Sequence, residues 1–240
     1  MTYSLFISDL HLAPEHDGIT RSFQDFVKGP AARAAALYIL GDLFEYWIGD
    51  DDLSDPFNAS IVDALRTLSR SGVAVKLMQG NRDVLLGNEF ARACDASLIA
   101  DPTLLDLYGT RTLVMHGDTL CTDDVEYMKW RAKAHNPEFQ ARFLAQPVPE
   151  RKRMILEMRQ KSEEHKQGQA PAIMDVATQT VEAILRESAY PRLIHGHTHR
   201  PARHVHVVDG RECERWVLNA WYDQGGYLRC DSNGCEALLL

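Results

Sequence analysis

The sequence predicts a layered α/β fold, with β-sheets flanked by helices and a helical cap inserted into it. Three observations predict it. Short apolar runs alternate with amphipathic helical spacing through the first half of the chain, the pattern of βαβα units. Strand signals then vanish between Asp123 and Glu187, where helical spacing with many Lys and Arg takes over. They return from Leu193 onward, so residues 1–122 and 188–240 are expected to form one core and 123–187 the inserted cap.

Taken in order, Leu5–Ile7 is an apolar run too short for a helix and reads as a strand. Phe23, Phe26 and Val27 recur at helical spacing, Leu37–Leu40 is a second buried strand, and Ile61, Leu65 and Leu68 mark a second helix. Val73–Met78 continues the series. Thr103–Leu107 and Thr112–Met115 read as two strands joined by a turn at Tyr108-Gly109-Thr110. After the cap, Leu193–Ile194, Val205–Val208 and Trp216–Leu218 are strand-like, and Ser232-Asn233-Gly234 turns a final hairpin.

The 240 residues suit one core domain with an insertion, and 45% hydrophobic with 25% charged residues is ordinary for a folded soluble protein. A net charge of −8 argues against a nucleic-acid partner, which asks for a basic surface to displace counterions. The five cysteines are scattered, with no CxxC, unlike a disulfide framework or a zinc module, and fit a reducing cytoplasm. The first residues lack the charged and apolar regions of a signal peptide, and no apolar run is long enough to span a bilayer, so any membrane contact is expected to be peripheral.

Each strand is followed by a polar cluster: Asp9 with His11, Gly41-Asp42, Gly80-Asn81, His116-Gly117-Asp118, and His197 with His199. Ends of parallel strands are where α/β sheets place their sites. One residue separates His197 from His199, so in an extended chain both project to the same side. Oxygen and imidazole donors without thiolate suit Mn²⁺, Fe²⁺ or Zn²⁺. Seven donors exceed the needs of one tetrahedral ion, and a shared carboxylate between two ions resolves the excess, with Asp42 the natural bridge. Two ions about 3.5–4 Å apart clamp the attacking and leaving oxygens of a displacement at phosphorus, so the set points to phosphoester or phosphoanhydride hydrolysis.

The run DLH, GD, GNRD, HGD, GHTH resembles the calcineurin-like metallophosphoesterase signature over nearly the whole chain. Within that superfamily, LYILGDLFEYWIGDDD (37–52), GNRDVLLG (80–87), LVMHGDTLCTDD (113–124) and IHGHTHRP (194–201) are similar to the UDP-2,3-diacylglucosamine diphosphatase family of the lipid A pathway. The resemblance implies two Mn²⁺ ions, one held by Asp9, His11, Asp42 and His199, the other by Asp42, Asn81, His116 and His197. It implies Asn81, Arg82 and His116 as catalytic residues, and substrate contacts at Asn81, Arg82, Asp124, His197, Ser162, Lys166 and Gln169. It implies that water attacks the α-phosphorus of UDP-2,3-diacylglucosamine to give UMP and 2,3-diacylglucosamine 1-phosphate. A cytoplasmic monomer resting on the anionic face of the inner membrane completes the expectation.

Arg82 stands where many members of the superfamily carry His after the GN motif. Arginine is no general acid near neutral pH, but its fork neutralises phosphate charge, which favours a substrate whose leaving group is itself a phosphate. The competing reading pairs Arg82 with Asp83. His195 is expected to support the site rather than ligate, and Asp50-Asp51-Asp52 to be a solvated loop. Between Lys129 and Lys161, nine Lys or Arg face three Glu, and Trp130, Phe139, Phe143, Leu144, Met154 and Ile155 are interleaved with them. Such a stretch can rest on an anionic membrane and shelter acyl chains, or simply pack as a helical pair. The enzyme alternative is a phosphodiesterase or pyrophosphatase for soluble nucleotides, which would not need that apolar stripe. A binding scaffold would be expected to lack ligands, and none is missing.

Overall fold

The structure, a computed structural model, describes residues 2–166, 175–222 and 224–240, without the side chains of 159–166. Two sheets lie at its centre. The first has six strands in the order β11-β10-β1-β2-β3-β4, built from β1 (Ser4–Ile7), β2 (Ala36–Leu40), β3 (Ala74–Met78), β4 (Ser97–Leu98), β10 (Gly226–Asp231) and β11 (Gly234–Leu239). The second orders β5 (Thr103–Leu107), β6 (Thr110–Val114), β7 (Arg192–His195), β9 (Arg211–Val217) and β8 (Ala202–Val208). β1, β2 and β3 run parallel in the first sheet, as do β6 and β7 in the second. The loops that follow these five strands therefore carry the polar clusters to one rim.

Strand alternation sorts the core into layers. Leu5, Ile7, Leu37 and Ile39 face outward from the first sheet onto Phe23, Phe26, Ile61 and Leu65 of α1 (Asp17–Lys28) and α2 (Pro56–Arg70). Phe6 and Leu40 point the other way, into an inter-sheet cluster with Val114, Ile194 and Leu228. On the far side, Leu113 and Leu193 pack on Val181 and Leu185 of α7 (Thr178–Glu187). The result is helix, sheet, sheet, helix, the layered fold that the apolar periodicity predicts.

Two elements had no reading in the sequence: α3 (Asn88–Ala93) and β4. A six-residue helix has too few turns to show a period, and this one is capped from a distance. The Asp50 carboxylate accepts from the backbone N–H groups of Gly87, Glu89 and Phe90, which neutralises the orphan donors of its first turn. By contrast α2 carries a local cap, Asp55 accepting from Phe57 N at 3.0 Å, with Pro56 at the first helical position.

Within 123–187 the structure has α4 (Val125–Ala134), α5 (Pro137–Leu144), α6 (Val148–Lys166) and α7. Asp124 and Asn136 cap α4 and α5 with their side chains. Val125, Trp130, Leu144 and Leu156 are exposed. The contacts of α6 are ionic: buried Arg151 reaches the Ile48 carbonyl at 2.5 Å and Asp51, and Lys152 reaches Asp52 and Asp55 at 3.1 Å each. The acidic run 50–52, expected to be solvated, instead anchors α3 and α6.

The cysteines also require a correction. Cys230 and Cys235 stand directly opposite each other across the β10–β11 hairpin and form a disulfide. Five residues apart, they were placed in register by the turn at 232–234. Cys94, Cys121 and Cys213 are buried and lie outside this disulfide.

Candidate metal centre

The loops after β1 and β2 are zipped together: Asp9 N donates to Gly41 O, and Leu10 N and His11 N both donate to Asp42 O. Leu10 turns into the core, while Asp9 and His11 on either side of it, both at positive φ, face the loops after β7 and β2. Ser8 Oγ and His197 N both donate to Asp9 Oδ2, at 2.5 and 2.9 Å, which ties the first loop to the one after β7. The approach is close enough that a Cβ on Gly196 would strike Ser8 Oγ and the Asp9 carboxylate, and one on Gly80 would strike Asp42 Oδ1. Glycine is required at both for the loops to meet.

Asp42 lies between two imidazoles. Its Oδ2 is 3.8 Å from His11 Nε2 and its Oδ1 3.8 Å from His116 Nε2, while Arg82 N donates to Oδ1 at 2.8 Å. His11 Nε2 is 3.3 Å from His199 Nε2, and His199 Nε2 is 3.3 Å from Asp9 Oδ1. Asn81 Oδ1 faces His116 Nε2 at 2.9 Å and His197 Nδ1 at 2.8 Å. His116 Nδ1 donates to the Leu40 carbonyl, which turns Nε2 toward the site. All seven sequence-predicted ligands are thus brought to one rim. His195 is not among them: it is fully buried, with Nε2 3.0 Å from Arg215 Nη1 and Nδ1 donating to Gly196 O.

Strain and electrostatics mark the same residues. Among the described residues ten non-glycines have positive φ, and five of them are Asp9, His11, Asp42, His197 and His199. Left-handed backbone is costly outside glycine and persists where surrounding structure enforces it. Burial disfavours a charged His116, but Asp42, Asp9 and Asp118 outweigh it and lift its pKa to about 10. Burial and the neighbouring His116 push His197 down to about 3. Burial opposes a charged Asp9, and the neighbouring His199, His116 and His11 outweigh it, leaving its pKa lowered. The pocket is a concentration of carboxylate charge that calls for cations.

The donors fit a metal pair. Asp9, His11 and His199 converge within one ion's reach, and so do Asp9, Asp42 and His116. Asp9 Oδ1 is buried without a hydrogen-bond partner. Carboxylate, imidazole and amide oxygen are the donor set of borderline divalent ions.

The expected substrate contacts are distributed unevenly. Arg82 does not pair with Asp83. Asp83 is buried and accepts from the backbone of Gly80, Asp42, Leu43 and Phe44, and burial with the neighbouring Asp42 raises its pKa to about 6. Arg82 Nη1 lies 3.5 Å from Glu45 Oε1. Asp124 accepts from Tyr127 N as the cap of α4, three residues before a ring that stands 5.5 Å from His197. Ser162 and Lys166 fall on α6 where side chains are not described, and Gln169 lies outside the described residues.

Five supporting residues were given no role in the sequence reading. Glu45 and Tyr222 flank His11, and Asp118 receives Tyr127 Oη at 2.8 Å and Arg131 Nε at 2.6 Å, fastening α4 to the loop after β6. Asp118 was visible in the HGD run, but the others carry no local signal.

The chain belongs to the calcineurin-like phosphoesterases, whose family model matches residues 4–201. Within curated proteins it is similar to the UDP-2,3-diacylglucosamine hydrolase of Aromatoleum aromaticum, 51% identical over 98% of this chain and 96% of that one. It is also similar to proteins of that name from Cellvibrio japonicus, 47% identical over 96% of each chain, and Shigella dysenteriae, 46% identical over 98% of each.

Proposed function

We propose that this chain hydrolyses the pyrophosphate of UDP-2,3-diacylglucosamine, with water attacking the α-phosphorus to give UMP and 2,3-diacylglucosamine 1-phosphate. The observation that carries the reading is the position of Asp42, one oxygen toward His11 and the other toward His116, in a chain whose relatives bear the name of that activity.

Asp9, His11, Asp42 and His199 would hold one divalent ion, and Asp42, Asn81, His116 and His197 the other, with Mn²⁺ the proposed metal. Bound there, two such ions supply Lewis-acid charge at phosphate oxygens and lower the pKa of water. The chain's own residues do the rest. Asn81 and His197 lie against each other where substrate and ions would meet. Arg82, its side chain largely buried beside Glu45, offers a planar fork of donors to phosphate oxygens, and its charge stabilises the phosphate that departs. Asp118 and Tyr127 hold α4 over His197, limiting water at that side.

Within 123–187, α4, α5 and α6 are proposed as the cap that admits the acyl chains, whereas α7 packs on the second sheet as part of the core. Val125, Trp130, Leu144 and Leu156 are exposed on its helices, and Lys133 lies over the rings of Trp130 and Phe139. Apolar side chains bordered by lysine suit a peripheral seat on an anionic membrane surface. Among the described residues no helix is long and apolar enough to cross a membrane. Ser162, Lys166, Gln169 and Asp124 remain proposed contacts of the substrate. Chromatography of products from UDP-2,3-diacylglucosamine, with and without Mn²⁺, tests the reading. UMP and the sugar phosphate should appear only with metal, and an unchanged substrate at saturating Mn²⁺ contradicts it.

A further inference from the structure

Glu45 is a buried carboxylate that none of the ligand or substrate roles above uses. It follows Asp42 by three positions, and its two oxygens divide between two functions. Oε2 lies 2.8 Å from His11 Nδ1 and accepts from Tyr222 Oη at 3.0 Å. Oε1 lies 3.5 Å from Arg82 Nη1. The Tyr222 ring stacks on the His11 ring, with centroids 4.8 Å apart and planes 18° apart, and reaches His199 at 5.7 Å.

We propose that Glu45 is a positioning residue that sets His11 for its ion and Arg82 for the substrate phosphate through the same carboxylate, with Tyr222 holding that carboxylate in place. The inference rests on the ligand set and the Arg82 role proposed above. A carboxylate at Nδ1 keeps the His11 proton on that nitrogen, so the Nε2 lone pair is presented toward Asp42 and His199 and its basicity rises. The His11 N–H is not aimed squarely at Glu45, since Nδ1 has no partner within strict hydrogen-bond geometry despite the 2.8 Å approach. The stacked Tyr222 ring limits rotation of the imidazole out of that contact. At the other oxygen, the carboxylate holds the Arg82 guanidinium by charge, which narrows the volume that a long side chain would otherwise sample. His11 and Arg82 come from loops on different strands, after β1 and β3, and Glu45 touches both.

Calorimetric titration of the full chain with Mn²⁺ tests this, alongside Glu45→Gln and Tyr222→Phe. Wild type should take two ions. Glu45→Gln should weaken one of them by about 10–100-fold and leave the other near its original affinity, as expected for a partner behind a single ligand. Tyr222→Phe, which removes only the hydroxyl at a half-exposed position, should weaken that same ion by about threefold. At saturating Mn²⁺, Glu45→Gln should also lower kcat for UDP-2,3-diacylglucosamine, because Arg82 has lost one of its partners. Unchanged affinity for both ions in both variants overturns the proposal, and so does equal weakening of both, which is what general loosening of the fold would give. Should Glu45→Gln fail to fold, Tyr222→Phe decides alone, and wild-type Mn²⁺ affinity in it overturns the proposal. A wild-type chain that binds fewer than two ions contradicts instead the ligand set on which the inference rests.

Discussion

Arg151 of α6 and Asp51 of the loop after β2, a hundred positions apart, meet through the two terminal guanidinium nitrogens and both carboxylate oxygens. The arginine is 1% exposed and also donates to the Ile48 carbonyl. This pair, with Lys152 on Asp52 and Asp55, fastens α6 to the loop next to the metal centre. Basic residues that the sequence offered to a membrane are here spent inside the molecule.

Arg151→Met is therefore expected to cost about 2 kcal/mol, because it strands the Ile48 carbonyl and breaks charge-assisted bonds. Urea unfolding measures it, and a change under a few tenths would remove the anchoring role. The pH dependence has a definite sign. The hydrogen bond from Arg151 is the leading cause that holds Asp51 below its ordinary value of 3.8. A depressed carboxylate contributes stability above the unfolded value, and that contribution is lost as pH falls through the folded one. Wild type should lose this increment on acidification below about pH 4, and Asp51→Asn should lack it at every pH.

Asp42→Ala should leave the fold largely intact, since the removed carboxylate lies at a loop rim rather than in the apolar core. Losing the group between His11 and His116 should reduce bound metal below two ions per chain and lower kcat by about 10²–10³-fold, the scale of losing one charge-stabilising element. Plasma mass spectrometry and turnover check it together.

Arg82→Lys should fall well short of wild type, by about tenfold or more, because an ammonium offers one point charge where a planar fork is required. The deficit should persist at saturating substrate. Normal turnover in Arg82→Ala would reduce the residue to a structural partner of Glu45.

Metal should stabilise the folded chain. At a free Mn²⁺ concentration of 100 times Kd, each ion adds about 2.7 kcal/mol, so chelation should lower the melting temperature and added Mn²⁺ should restore it. Gly80→Ala should abolish most of that gain, since its Cβ would displace the Asp42 carboxylate. A melting temperature indifferent to Mn²⁺ in wild type contradicts the metal centre.

How much was legible follows from how local each signal is. Asp9 with His11 and His197 with His199 follow apolar strands, so their place at the rim could be read, whereas the left-handed backbone at all four, which replaces the extended chain assumed from their spacing, could not. The layers followed from runs such as Leu5–Ile7, whose neighbours in space are other apolar runs. Glu45, Tyr127 and Tyr222 act through partners 34 or more positions away in some cases and through loop geometry in all, and nothing in LFEYW distinguishes a buried glutamate from a solvated one. The same holds for Asp50, which caps a helix whose first residues lie 37 positions on. Arg151 shows the opposite error: its neighbours in sequence made it one of a basic cluster, while its neighbours in space made it a buried structural residue.

Hydrolysis of UDP-2,3-diacylglucosamine in ¹⁸O-enriched water, with mass spectrometry of both products, tests the central claim most directly. Attack at the α-phosphorus places one heavy oxygen in UMP and leaves 2,3-diacylglucosamine 1-phosphate unlabelled. Label in the sugar phosphate, or no label because the substrate is not turned over with Mn²⁺ present, contradicts it.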